Sequence, residues 1–354
     1  MLTYVKTSPV AELVPAKRKK HDGVMRAAVI TEHGGPEVLQ IQDIPAPQPK
    51  REEILVDVVA SALNRADLLQ RMGLYPGPPA DFEVPGLEFS GVVADLGPEV
   101  TRWSIGDRVM GITSGAAHAE QLVTHQDLAM EVPSAMSLLT AGALPEVFIT
   151  AWDALVLQGG LQAGQTALVH AGASGVGTAA IQICRYLGAK VVVTASGPKV
   201  GRCTELGADL AIDYTSQDWV AEVKAFTEGQ GANVVLDVIG GDYLEKNVRS
   251  LATKGTIVQV GVMGGGKATF SLGMLLPKRA ILRGTVLRGR STEEKIAVSQ
   301  AFSEQILPGF INGALEVVVD RRFSLDAIAE AHAYMASNAN VGKIVLEISP
   351  EGVN

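Results

Sequence analysis

The chain predicts an α/β protein built in two parts, a β-rich lobe and a doubly wound parallel sheet. Three observations carry that reading. Residues 25 to 145 break into short β-like runs separated by Gly, Pro and Asp turn signals. From about residue 145 strands and helices alternate regularly, the pattern of βαβ units with right-handed crossovers. And the first of those units holds a glycine-rich turn between an apolar strand and a helix, in "TALVHAGASGVGTAAIQI".

The elements follow in order. "MRAAVIT", "EVLQIQDI", "EILVDVVASAL", "FSGVVADLG", "DRVMGI" and "EQLVTH" read as strands of a compact, barrel-like domain, with "PAPQPKREE" as a proline-rich connector. Then come strand "TALVHAG", helix "GVGTAAIQICRYLG", strand "AKVVVTA", helix "KVGRCTELG" and the short strand "ADLAIDY". Helix "DWVAEVKAFTEG", strand "ANVVLDVIG", helix "YLEKNVRSLATKG" and strand "TIVQVGV" complete the alternation. The remainder reads as helix, strand, helix, strand, returning to complete the first lobe.

Composition narrows the function. A chain of 354 residues with 47% hydrophobic and 19% charged residues is ordinary for a globular protein of two domains. Its net charge of −8 argues against a general nucleic-acid partner. Cys184 and Cys203, the 2 cysteines, build neither a disulfide framework nor a four-cysteine zinc lobe, and favour a reducing, cytoplasmic setting. No apolar signal core opens the chain, and the uncharged run Ala154–Cys184 is broken by glycines and glutamines, so no membrane partner is expected. Residues 1 to 24 stand apart, with Lys6, Lys17, Arg18, Lys19 and Lys20 against Glu12 and Asp22. They read as a disordered tail or an extension of the natural start.

The turn Gly172-Ala173-Ser174-Gly175-Val176-Gly177 has the spacing of a dinucleotide site, with Ser174 at the middle glycine. The pyrophosphate of such a cofactor lies on the free N–H groups of the helix that follows. At the end of the next strand an Asp or Glu would bind the ribose hydroxyls of NAD. Thr194, Ala195 and Ser196 stand there instead, followed by Lys199. Removing the acid removes repulsion against a 2′-phosphate, and hydroxyls and a lysine attract one, so NADPH is the expected cofactor. Tyr214, after the third strand, is placed to flank the same phosphate. Gly240 and the run Val262–Met263–Gly264–Gly265 end later strands, where ligands of open α/β sheets sit.

Beyond these motifs, "ALNRADLLQRMGLYPGPP", "PGLEFSGVVADLG", "GDRVMGI", "HAGASGVGTAAIQI" and "NVGKIVLEI" resemble the zinc-free quinone oxidoreductases of the medium-chain dehydrogenase/reductase superfamily. The likeness runs over about residues 25 to 348 and is strongest to the p53-inducible NADPH quinone oxidoreductase type, through "EKNV" and "AFSEQILP" among others. It implies a GroES-like catalytic domain from residues 25–149 and 290–354 and a Rossmann domain from 150–289. Zinc-dependent relatives carry a cysteine ligand near Asn64 and a histidine where Leu87 stands, so the resemblance implies no metal. It implies hydride transfer from NADPH to a conjugated carbonyl, a quinone above all, with ortho-quinones favoured.

The same resemblance places Asn64 and Tyr75 beside the nicotinamide as catalytic residues, Asn64 holding cofactor or substrate oxygen and Tyr75 stacking or donating a hydrogen bond. It sets Thr150 at the cofactor near the domain junction, and Asn340 and Lys343 within reach of it from the returning tail. Glu88 is read as a buried hydrogen-bonding residue and Cys184 as core. "ATFSLGMLLPKRAILRGTVLRGR" resembles the segment through which family members pair, so a homodimer through the cofactor domains is expected. Two other readings stay open: an NADPH-dependent 2-alkenal or enone reductase, and an NADPH-binding regulatory protein, crystallin-like or RNA-binding.

Overall fold

A computed structural model describes residues 23–349, so nearly all of the basic N-terminal stretch lies outside the described residues. β1 (Val24–Ile30) and β2 (Leu39–Pro45) form an antiparallel ribbon. β3 (Glu53–Ala62), β4 (Glu88–Leu96), β5 (Arg108–Ile112), β6 (Gln121–His125) and β7 (Met130–Glu131) follow in the β-rich part. β8 (Thr166–His170), β9 (Lys190–Ala195), β10 (Leu210–Asp213), β11 (Ala232–Asp237), β12 (Leu251–Gln259) and β13 (Ile281–Gly284) alternate with helices. β14 (Val319–Ser324) and β15 (Lys343–Glu347) end the chain.

The middle set forms one parallel sheet in the order β10-β9-β8-β11-β12-β13. Its central strands are apolar throughout: every residue of β8 is buried, as is all of β9 after Lys190, because helices cover both faces. The order steps outward from β8 to β9 on one side and to β11 on the other, which opens a crevice at the carboxyl ends of β8 and β11.

The second sheet runs β14-β15-β3-β4-β5-β7, with β6 also on β3. The C-terminal strands thus join the sheet begun by β3, and Val345 pairs with Ala62. Just before β15 the tail touches the glycine turn itself, where the Gly342 N–H donates to the Ala173 carbonyl at 2.9 Å. The largest apolar core is shared between the two sheets and includes Phe148, Trp152, Ile183 and Phe302.

The stretch expected as one helix, "YLEKNVRSLATKG", divides. The helix stops at Ser250 and β12 begins at Leu251, whose buried side chain packs under the sheet, while Lys254 takes a left-handed turn at φ 65°. β13 extends the sheet beyond the strands read from the alternation, and all four of its residues are exposed. No helix among the described residues is long and apolar enough to cross a membrane.

Beneath the β-rich sheet, His118 and His332 are fully buried, their rings edge to face at 6.4 Å. Burial lowers the pKa of both, and the neighbouring Arg71 lowers His332 further. The folded state therefore rejects protons that the unfolded chain accepts below a pKa of about 6.5. Stability is full above that pH and is lost as pH falls through it, by up to about 1.4 kcal/mol per pH unit per histidine. Urea midpoints measured at neutral and mildly acidic pH should show this fall, and His332→Leu should flatten it.

Candidate active site

At the carboxyl end of β8, Gly172 lies against Val193, where a Cβ would meet that side chain at 2.6 Å. Gly177 presses on the turn behind it, and a Cβ there would stand 2.3 Å from the Ala171 carbonyl oxygen. Gly175 is covered by the stem of Lys343 and by Val147. Ser174 caps the helix Gly175–Tyr186, its hydroxyl accepting from the Gly177 N–H at 3.0 Å. Ser174 and Gly342 form a parallel bridge that faces the Gly175 N–H with the Gly342 carbonyl, whereas the Val176 N–H has no hydrogen-bond partner among the described residues, as the first turn of a helix leaves it. A free donor at a helix N-terminus, beside glycines that let a ligand approach, fits an anionic pyrophosphate.

The neighbouring strand end is arranged differently from the sequence expectation. Thr194 is 1% exposed and bonds His170 Nδ1 at 2.9 Å through its hydroxyl. It braces the sheet from within instead of facing the crevice. His170 Nε2 meets Asn247 Oδ1 at 2.7 Å, and Asn247 donates to Asp237 at 2.7 Å. Asp237 also accepts from Ile239 and Gly240, which sets the turn after β11. That turn bridges to Gly265, and Val262 and Met263 are left half-exposed at the rim while the Gly264 N–H bonds the Ile239 carbonyl.

Ser196 heads the helix Gly197–Glu205, and Tyr214 is 46% exposed beside it. The Lys199 ammonium bonds the carbonyls of Asn338 and Asn340 at 2.6 and 2.7 Å. Asn340 turns its own amide to the Gly342 carbonyl. The structure also brings in an acid that the strand-end motif does not reveal. Asp213, at the end of β10, lies against Gly197, its carboxylate held by the hydroxyls of Thr215 and Ser216. Those bonds keep its pKa below the usual carboxylate value.

Lys343 links the glycine turn to Asn64. Its stem lies over Gly175, and its buried ammonium bonds Asn64 Oδ1 at 2.8 Å, the Leu63 carbonyl at 2.7 Å and Glu88 Oε1 at 2.7 Å. All three donors are therefore spent inside the protein. Asn64 heads the helix Arg65–Arg71 and donates its amide to Glu88 Oε1 at 3.0 Å. Glu88, fully buried, uses its other oxygen to accept from the Glu146 N–H at 2.9 Å.

Tyr75 is half-buried under the Arg288 guanidinium, which sits 5.0 Å from its ring. Arg288 donates to the Ser114 carbonyl, the Tyr75 carbonyl and Gln70 Oε1. Lys295 bonds the Ser114 hydroxyl at 2.5 Å from the helix Thr292–Gln305. Burial raises the Tyr75 pKa; Arg288 opposes that and Glu146 adds to it. Thr150 lies on the helix Pro145–Trp152, partly exposed, one turn after Glu146. Burial and the adjacent Glu88 push the Glu146 carboxyl up to about 8.

Residues 50–159 match the alcohol dehydrogenase GroES-like domain, and residues 175–303 match the zinc-binding dehydrogenase family. Quinone oxidoreductase-like protein 2 of Mus musculus is 34% identical over 327 residues, 91% of this chain and 92% of that protein. A quinone oxidoreductase of Pseudomonas aeruginosa is 32% identical over 318 residues, covering 89% and 97%. The chain belongs to the zinc-free quinone oxidoreductase family. It superposes on the Escherichia coli quinone oxidoreductase complexed with NADPH with a TM-score of 0.81 at 29% identity, over 92% of this chain and 99% of that one. It also matches, at 31% identity over 334 residues, a stretch that makes up 15% of a phenolphthiocerol/phthiocerol polyketide synthase polypeptide of Mycobacterium tuberculosis. As a member of the quinone oxidoreductase family it is an oxidoreductase with a nicotinamide cofactor.

Glu146, Arg288, Lys295 and the His170–Asn247–Asp237 chain were not picked out by the sequence motifs. A four-residue step back from Thr150 along its helix was the one available signal, and it points to Glu146. Lys343→Met should leave Glu88 as an unpaired buried carboxylate and cost about 3–5 kcal/mol. Denaturant titration checks this. Glu88→Gln combined with Lys343→Met should recover part of the loss.

Proposed function

We propose that the protein is an NADPH-dependent, zinc-independent quinone oxidoreductase that passes hydride to a quinone, with ortho-quinones favoured. A bound NADPH supplies that hydride. The observation that carries the reading is the cleft itself: the glycine turn with the free Val176 N–H lies at one end, and Asn64, Glu146 and Tyr75 gather at the other, joined by the stem of Lys343. Quinones suit such a site. They are electrophilic without a Lewis acid, so the protein has to orient the acceptor, exclude water and offer a hydrogen bond.

The residues divide that work. The Asn64 amide, fixed by Glu88 and Lys343, presents a preorganised edge to the cleft. Tyr75, held by Arg288, offers a ring face to a planar acceptor. Leu87, 2% exposed, stands where zinc-dependent relatives place a histidine, which supports action without zinc. For the cofactor, Ser196 and Tyr214 edge a strand end that has no acid of its own, which supports a 2′-phosphate, while Lys199 is held by two carbonyls of the returning tail and Asp213 of the adjacent strand has its oxygens turned into Thr215 and Ser216.

The reading includes a homodimer in a cytoplasmic setting, with a small molecule rather than nucleic acid or a membrane as partner. The exposed edge of β13 and the exposed Leu272 and Leu276 support pairing through the cofactor sheets. Sedimentation should give twice the chain mass, and Leu276→Glu together with Leu282→Arg should return the monomer. A wild-type monomer at micromolar concentration overturns the pairing.

Loss of reduced-nicotinamide absorbance, followed with a planar ortho-quinone and separately with a 2-alkenal, tests the activity. We expect kcat/KM with NADPH to exceed that with NADH about tenfold or more, the size of one charged hydrogen bond to the phosphate. Equal rates with NADH would overturn the cofactor assignment. Turnover of the alkenal alone would move the substrate to activated alkenes. Tight NADPH binding without turnover of either would favour a regulatory protein.

A further inference from the structure

We propose that the Glu146 carboxyl group carries and delivers the proton that accompanies hydride transfer in this cleft. The inference rests on the oxidoreductase reading above and goes beyond it, because that reading names no proton donor.

Four features of the structure point to Glu146. First, in the run Pro145–Thr150 only Glu146 and Thr150 keep partial exposure, the rest being buried, and a spacing of four puts them on one face of the helix. The carboxyl group lies within electrostatic reach of Glu88, Lys343, Lys295 and Tyr75, the groups that border Asn64. Second, the Glu146 main chain is fixed, its N–H held by Glu88 Oε2 at 2.9 Å. Third, its carboxyl group makes no hydrogen bond or ion pair with any described residue. Its acidic neighbours differ: Glu88 is taken up by Lys343 and Asn64, and Asp67 accepts from the Asn64 and Gly86 N–H groups. Glu146 is the cleft carboxyl that is left free to meet a substrate.

Fourth, the charges around it favour the protonated form. Glu88 on β4 and Asp67 on the helix Arg65–Arg71 repel a carboxylate there. Lys343 on β15 and Lys295 on the helix Thr292–Gln305 attract one, but Lys343 is already paired with Glu88 and Lys295 is bonded to Ser114. Tyr75, across the cleft, is neutral at ordinary pH, its own pKa raised. The first-turn position favours the ionised form, and burial beside Glu88 outweighs it, leaving a pKa of about 8. A carboxyl titrating there is protonated at neutral pH and is still a competent acid.

The step balances. The quinone accepts the hydride with its electron pair from the reduced nicotinamide, which is thereby oxidised, and becomes a hydroquinone monoanion. The Glu146 O–H bond breaks, its electron pair stays on the carboxylate, and a new O–H bond forms on the anionic oxygen. Glu146 regains a proton from water when the product leaves. For an activated alkene the same proton goes to the enolate.

Infrared spectra of the free protein, titrated between about pH 6 and about pH 10, test the proposal without substrate. We expect a protonated-carboxyl band that disappears with a midpoint near 8, is missing in Glu146→Gln and survives in Glu146→Asp. With quinone, wild-type kcat should fall as pH rises through that midpoint, because the acid form is lost. Glu146→Gln should lower kcat about tenfold or more, abolish that pH dependence and leave NADPH affinity unchanged, with Glu146→Asp partly restoring both. No such band, or an unchanged pH profile in Glu146→Gln, overturns the proposal. If wild type shows the band but reduces no quinone, the substrate reading fails on its own, and the same profile with a 2-alkenal decides the role of Glu146.

Discussion

The buried pair Lys343–Glu88 is the contact on which the site depends. Each partner would be costly alone, since an uncompensated charge in the interior forfeits its hydration. Together they join three distant parts of the chain: the last strand, the strand β4 and, through Asn64, the helix Arg65–Arg71. The lysine stem spans the glycine turn on its way, so the glycine turn and the Asn64 amide are set by one side chain. Such a pair stabilises little compared with apolar residues of the same size. What it contributes here is position: Asn64 has its carbonyl oxygen on Lys343 and its amide on Glu88, which leaves one orientation of the group.

From this contact the electrostatics of the cleft follow. Glu88 meets a full ammonium and two further donors, so its charge is compensated within the protein. A second carboxyl beside a committed anion is then driven toward its neutral form. The fold thus treats two adjacent glutamates differently: Glu88 is paired and hydrogen-bonded, and Glu146 is a group that can give up a proton. Environment alone separates them.

Much of the fold was legible in the chain. The glycine turn, the alternation of strands and helices, and the β-rich first part all rest on local patterns of turn residues and burial, and the strands formed where those patterns lay. The failures were of two local kinds. "YLEKNVRSLATKG" has helical spacing to its end, but Leu251 is claimed by the sheet, a tertiary demand that no local window shows. Thr194 sits at the strand end where a cofactor contact was expected, yet a strand alternates its faces, and this one turns inward to His170. The site was legible only in part for a related reason. Asn64 and Tyr75 belong to recognisable stretches, whereas Arg288 and Lys295 reach the cleft from far along the chain and carry no motif.

Asp213 shows how nearness and availability differ. It stands at the end of β10, next to the strand end that lacks an acid, and a count of charges near the ribose would include it. Its oxygens, however, accept from the Thr215 N–H and hydroxyl and from the Ser216 hydroxyl. A carboxylate so satisfied offers few lone pairs to ribose hydroxyls, and its charge is spread into donors of its own turn. Lys199 is engaged in the same way, by two carbonyls of the returning tail, and this ties the strand-end helix to the segment that also carries Lys343. The Lys199 helix and Asn64 are therefore fastened to one stretch, Asn338–Lys343. A ligand held against this stretch would meet an Asn64 already set by Lys343 and Glu88, so binding energy gained far from the reacting atoms need not be spent on ordering it.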